Sequence, residues 1–420
     1  MTRAWGCGGW KIFLNDVRVT RSAACMDRQK IILLVAIPNS IHTARWVAQI
    51  GDQGWDIHLF PSVAGTPIHP QIENVTVHHM LHRERVSSER GRPPSGIAPF
   101  TRAMHALQRR ALAEMFPNWR ARQLARAVRR LRPDIVHSME IQGAGYLTLA
   151  ARDILGGHFP PWIVTNWGSD IYLFGNLTEH QDRIRAVLKN CDYYSCECER
   201  DVELARAFGF TKTVLPVSPN SGGFDLGALE PVRRRILTSE RRIIMLRGYQ
   251  GWAGRALVGL RALERCQDVL QGYTVVIYSA ADDVVMAAEL FTHRTGIVTR
   301  VLPAGTPHAE ILAFHAQARI SIALSISDAI STALLEAMVM GSLPIQSSTA
   351  CANEWVQHGV GGLIVPPEDP DVVEAAIRTS LTDDVLVNRA AESNWKVAQA
   401  RLDGLALKQK AVAMYRSIAT

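Results

Sequence analysis

Apolar residues fall along this chain in two alternating patterns. Short, nearly unbroken apolar runs cover residues 31–37, 55–60, 75–79, 135–137 and 162–166. Runs of that length with no polar alternation read as strands buried on both faces. Between them lie stretches with apolar residues at helical spacing, such as 42–53, which stops at Gly54. The second half restarts the pattern. Strands are expected at 242–247, 274–278, 298–301, 320–324, 343–346 and 362–365, with a helix over 255–270. Strands that alternate with helices predict parallel sheets covered on both faces. The fold class expected is therefore α/β, with two Rossmann-like, doubly wound domains facing a central cleft. The segment 217–225, with Pro219, Gly222 and Gly223, reads as the hinge. The expected boundaries are 26–221 and 222–386, with residues 387–420 forming one long helix that crosses back to the first domain. Residues 1–25 have no apolar period and are expected to be a disordered extension, with Met26 a candidate start. Residues 86–100, rich in Ser, Gly and Pro, read as a loop.

Composition changes this picture little. The 420 residues are 47% hydrophobic and 20% charged, an ordinary globular balance, and the length suits two domains. Seven Cys without repeated spacing do not make a disulfide framework. Cys191, Cys196 and Cys198 are expected to be buried thiols, not metal ligands. The longest aliphatic run is far shorter than the roughly 20 residues of a spanning helix.

Charge adds more. The net charge is +7, and it is uneven: residues 1–221 hold 27 basic and 19 acidic side chains, residues 222–420 hold 19 and 20. Residues 83–132 contain 13 Arg and three acids, Glu84, Glu89 and Glu114. Residues 100–132 combine these arginines with apolar positions at helical spacing, including Met104, Leu107, Leu124 and Val128. A basic amphipathic helix of that kind fits an anionic membrane surface. No aromatic–basic groove or reader motif for nucleic acid is present.

The segment with the most chemistry runs from Ser325 to Gly341. Ser331 or Thr332 is placed to cap a helix, and Gly341 suits its left-handed end. Asp328 then lies in the loop before a helix N-terminus, where free amides attract an anion, and Glu336 lies on the early turns. The spacing Asp328-x7-Glu336 and the run Leu334-Leu335-Glu336-Ala337-Met338 resemble the signature of the family 4 (group 1) glycosyltransferases. So does Glu354-Trp355-Val356 followed by 359–365 and Asp369. Asp328 stands where that family usually has Glu. The resemblance implies the GT-B fold and a retaining hexosyltransferase that takes a nucleotide-sugar donor. It implies that Glu336 holds the ribose hydroxyls and Asp328 faces the donor sugar. The backbone around Ile330, Ser331 and Thr332 would cradle sugar and phosphate, and Gly248 belongs to the same donor side. Arg247 and Arg255 would neutralise the diphosphate.

On the acceptor side, the resemblance implies Asn39 and His42 after the first strand, His137 in Pro133-Asp134-Ile135-Val136-His137, and Asp170 in Thr165-Asn166-Trp167-Gly168-Ser169-Asp170. Glu197 and Arg200 follow the last strand of the first half with a weaker signal. The expected partners are a UDP- or GDP-sugar and a glycan or lipid-linked saccharide, with no cofactor and no metal. The expected setting is the cytoplasmic face of the membrane, in cell-surface polysaccharide or glycolipid biosynthesis. A nucleotide-sugar epimerase and a non-catalytic glycan-binding scaffold of the same fold remain open alternatives. A dinucleotide dehydrogenase is disfavoured, because no Gly-x-Gly-x-x-Gly follows the first strand of either half.

Overall fold

A computed structural model describes residues 29–79, 82–86 and 118–418. The expectations for 1–25, for most of the 86–100 loop and for the first part of the basic stretch lie outside these residues. Two sheets carry the fold. The first consists of β1 (Ile31–Ala36), β2 (Asp56–Pro61), β3 (Val75–His78), β4 (Arg83–Val86), β5 (Ile135–Met139), β6 (Trp162–Thr165), β7 (Tyr193–Ser195) and β8 (Thr213–Val214). Their order is β4-β3-β2-β1-β5-β6-β7-β8. The second consists of β9 (Ile243–Arg247), β10 (Thr274–Tyr278), β11 (Val298–Val301), β12 (Ala318–Ala323), β13 (Leu343–Ser347) and β14 (Leu363–Val365), in the order β11-β10-β9-β12-β13-β14. All pairings are parallel except β3 with β4. The strands predicted from apolar runs are the parallel ones. The antiparallel edge strand β4, Arg-Glu-Arg-Val, was not expected, because its charged residues keep it legible only as surface.

Strand order reverses between β1 and β5 in one sheet and between β9 and β12 in the other. Such a switch point opens a crevice at the carboxyl ends of the strands, where ligands of doubly wound sheets bind. Among the described residues, no helix is long and apolar enough to cross a membrane.

The C-terminal segment does cross back, but as two helices. Asp384–Arg401 packs on the second domain through Trp395, and Gly404–Ser417 packs on the first through Tyr415. The break comes at Leu402, whose carbonyl accepts from Phe224 N at 2.9 Å, while Gly404 N donates to the Phe224 carbonyl at 2.9 Å. Asp403 then caps the new helix through Ala406 N at 2.8 Å. Both domain crossings are thus laced together at one place.

Tyr415 is buried in the first domain's core. Its hydroxyl accepts from Trp46 Nε1 at 2.8 Å and meets His137 Nδ1 at 2.5 Å; His137 Nε2 meets Thr165 Oγ1 at 2.6 Å. Burial holds the His137 imidazole down at about 3, so it is neutral and completes one chain of donors and acceptors. Tyr415→Phe leaves the Trp46 donor and the His137 nitrogen unpaired in the core. It is expected to cost about 1–3 kcal/mol, read as a lower urea midpoint at an unchanged m-value.

Candidate functional site

The crevice is built at both switch points. β9 ends at Arg247, and the strand β12 feeds the loop that holds Asp328. Arg247 Nη1 lies 3.5 Å from Asp328 Oδ2 and 3.2 Å from Ser331 Oγ. Ser331 occupies the N-cap position of the helix Thr332–Met340, but its side chain makes no cap bond. The hydroxyl expected to cap the helix is engaged by Arg247 instead. The amides of Ile330, Ser331, Thr332 and Ala333 find no acceptor among the described residues. A guanidinium beside uncapped helix amides is a ready anion site. Gly341 ends the helix in the left-handed conformation, φ 77°, as its position predicts.

Glu336 lies on the same helix and is 4% exposed. Its Oε1 meets His308 Nε2 at 2.8 Å, and its Oε2 lies 3.5 Å from His315 Nε2. Burial pushes this carboxyl up, but the two histidines outweigh burial and hold it at about 2. A cavity of 300 Å³ opens beside His308, lined also by Arg45, Gln49 and Phe224. Tyr278 is buried close to both Glu336 and Arg247: burial raises its hydroxyl well above the ordinary value, the Glu336 charge adds to that and the Arg247 charge opposes it.

The first domain faces this assembly with the turn after β1. His42 is half-buried, and desolvation lowers its ring to about 4; the charges it feels across the crevice are Asp328 and Arg247. Its ring centroid lies 5.2 Å from that of Trp167. Asn39 sits exposed in the same turn.

Two models of protein families match the chain. Residues 30–195 match the family described as glycosyl transferase 4-like, and residues 253–383 match glycosyl transferases group 1. The chain is a glycosyltransferase with a 4-like first domain and a group 1 second domain. No curated protein sequence matches it. Similar solved structures include sucrose-phosphate synthase from Thermosynechococcus elongatus, with TM-score 0.64, 16% identity, and 92% of this chain and 98% of that chain covered. The Anabaena protein HepE in complex with UDP-glucose has TM-score 0.63 and 15% identity over 92% of this chain and 100% of that one. A UDP-forming alpha,alpha-trehalose-phosphate synthase from Burkholderia xenovorans has TM-score 0.63 and 12% identity over 93% and 100%. The fold of this glycosyltransferase is accordingly GT-B.

Three expected site residues of the glycosyltransferase lie elsewhere. His137 is in the core with Tyr415, not at the cleft, because its strand continues to Met139 and turns the ring inward. Arg255 precedes the helix Ala256–Arg265, but its guanidinium engages Glu368 at 2.8 Å and the Gly254 carbonyl at 2.8 Å, not the Arg247 cluster. Asp170 lies beneath the acceptor-side loops. Its carboxylate accepts from Trp167 N at 3.1 Å and Ile141 N at 3.2 Å, and burial, then the Glu140 charge, raises it to about 7. Gly248 packs tightly against the segment after β10: its amide donates to the Tyr278 carbonyl at 2.7 Å, and a Cβ there would lie 2.6 Å from Ala280 Cα.

The residues that hold the domains together were barely visible in the sequence. Arg200 Nη2 donates to the Asp328 carbonyl at 2.9 Å and Nη1 to the Thr349 carbonyl at 2.9 Å. Glu354 of the second domain accepts from Glu199 N at 2.9 Å and Arg200 N at 3.1 Å, capping a first-domain helix. Cys198 is the buried thiol expected, and it meets Cys351 across the domains with sulfurs 3.0 Å apart. Glu140 takes φ 106°, a strained value for a non-glycine residue, and its carboxylate accepts from Gly143 N at 2.6 Å and from Ala144 N. The signal for it was an acid before the Gly-rich run Gln142-Gly143-Ala144-Gly145.

At Gly168 the two domains approach each other closely. The glycine has φ 90°, and a Cβ there would lie 2.1 Å from Ala329 N. Gly168→Ala is expected to hold the domains apart and displace the Asp328 loop. It should lower turnover at least about tenfold while leaving secondary structure unchanged by circular dichroism.

Proposed function

We propose that this glycosyltransferase is a retaining enzyme that moves a hexosyl group from a UDP- or GDP-sugar to a glycan or lipid-linked saccharide. The observation that carries the reading is the cluster of Arg247, Ser331 and Asp328 at an uncapped helix N-terminus, facing His42 across the crevice. The diphosphate would lie on Arg247 and the amides of residues 330–333. Glu336 takes the ribose hydroxyls, and Asp328 the hydroxyls of the donor sugar. Asn39 and His42 meet the acceptor. Similar structures bound to UDP and UDP-glucose support a uridine donor.

The chemistry follows from where charge develops. As the bond from the anomeric carbon to the phosphate oxygen breaks, negative charge grows on the leaving diphosphate. A fixed guanidinium and oriented amides stabilise that charge without reorganising. The acceptor oxygen forms the new bond on the same face, and its proton passes to the departing phosphate oxygen. Retention of configuration is the result. The close domain contact at Gly168 limits water, and so limits hydrolysis of the donor. The enzyme works without a resident cofactor or metal, and without nucleic acid. The exposed arginines of the helix Trp119–Leu131 hold it at the cytoplasmic membrane face, where lipid-linked acceptors of polysaccharide and glycolipid assembly lie.

A thermal-shift panel of UDP, GDP, ADP and their sugars tests the donor reading. A cognate nucleotide at about 100 times its Kd contributes about 2.7 kcal/mol to the folded state. One base is expected to raise the melting temperature and the others to leave it unchanged. No response to any nucleotide would remove the donor site from the second domain.

A further inference from the structure

The outer edge of the first sheet carries a second cationic cavity. It lies two strands beyond β1, at the carboxyl ends of β2 and β3, and has a volume of 360 Å³. Arg126 and Arg130, one turn apart on the helix Trp119–Leu131, open onto it, and so does Arg83 at the start of β4. Gln123 and His82 complete the polar wall, over a floor of Phe60 and Ala127.

No carboxylate lines this cavity among the described residues. Glu84, on the hairpin that carries Arg83, is engaged by His79 at 2.9 Å. Asp56 is taken by His58 at 3.0 Å and by Arg85 at 3.4 Å. Arg83, Arg126 and Arg130 therefore converge without a counter-ion. Their field reaches the buried end of the cavity. His78, whose Nε2 pairs with His58 Nδ1 at 3.0 Å, is pushed down to about 3 by burial and then by His58, Arg83 and Arg130.

Three exposed guanidiniums around one open cavity repel each other until an anion enters. Their planar forks match the oxygens of a tetrahedral anion better than a single point charge does. At 360 Å³ the cavity is large enough for one phosphate with a few atoms beyond it. We propose that it binds a phosphate group, as a monoester or diester, and is a second ligand site outside the donor crevice. The phosphate can belong to a soluble phosphorylated compound or to a lipid headgroup; the recognising chemistry is the same.

The test uses the full chain and two probes. Inorganic phosphate is titrated by calorimetry, and vesicles of phosphatidylcholine with and without phosphatidylglycerol are co-sedimented with the protein. Arg126→Ala/Arg130→Ala and, separately, Arg83→Ala are compared with Arg122→Ala/Arg129→Ala. That control removes the same charge from the same helix outside the cavity. In the phosphate titration the cavity variants are expected to weaken binding about tenfold or more and the control about twofold or less; on vesicles, where all the exposed arginines of the helix contribute, the cavity variants lose about tenfold more than the control. Phosphate binding without vesicle binding identifies a soluble ligand. Binding only to phosphatidylglycerol vesicles identifies a headgroup. Either result supports the site if the cavity variants abolish it. The proposal fails if neither probe binds, or if the control double variant loses as much as the cavity variants. Stabilisation by the cognate nucleotide should be equal in all variants, which keeps this outcome separate from the donor reading.

Discussion

Arg247→Ala is expected to lower kcat/KM by about two to three orders of magnitude, the range found when one preorganised charge-stabilising donor is removed. Two roles converge on this side chain. Its guanidinium lies beside the uncapped N-terminus of the Thr332–Met340 helix, where it fixes Ser331 Oγ and the Asp328 carboxylate. Removing it takes away charge stabilisation and frees the Asp328 loop at once. Arg247→Lys should recover only part of the loss. A lysine supplies the charge but cannot bridge Ser331 and Asp328 with one planar group. The arginine also stacks over Tyr249, with 5.1 Å from guanidinium carbon to ring centroid, a contact that fixes its direction. Steady-state kinetics with the cognate donor, with nucleotide affinity measured in parallel, separates the two roles. A variant with normal nucleotide affinity and less than about fivefold lower turnover would show that the diphosphate lies elsewhere.

What the sequence reveals about this site depends on the range of the interaction involved. Arg247, Asp328 and Ser331 stand directly after strands whose apolar runs are unmistakable, at the point where strand order reverses. Position along the chain was therefore nearly position in the crevice. His137 shows the limit. A residue near a strand end faces either cleft or core, and the choice was made by Tyr415, 278 residues away in sequence. Arg255 was drawn off by Glu368, and Ser331 exchanged a cap for a guanidinium, both through contacts between distant segments. Arg200 and Glu354 matter only because two domains meet, which no local pattern encodes. The final helix makes the same point for the fold. Its helical spacing continues past residue 400, and the break at Leu402 exists because Phe224 pairs with it there.

Glu336→Gln is expected to weaken nucleotide binding about tenfold to a hundredfold, since hydrogen bonds to a charged group contribute roughly 1.5–3 kcal/mol. The substitution keeps the shape of the side chain in a helix that is almost wholly buried. What changes is the charge and one acceptor. The same variant has a second signature in pH. Burial alone would raise the Glu336 carboxyl, yet the contacts with His308 and His315 bring it from 4.5 down to about 2. A carboxyl held lower in the folded than in the unfolded state stabilises the fold above its unfolded value. That contribution is lost as pH falls through the folded value. The stability difference between the native protein and Glu336→Gln should thus be steady above about pH 4.5 and close progressively toward pH 2. Urea titrations across that window measure it. A gap that stays constant down to the lowest pH would mean that the histidines do not stabilise the carboxylate. The acid would then sit in the crevice through packing alone, and its grip on a ribose would need another explanation.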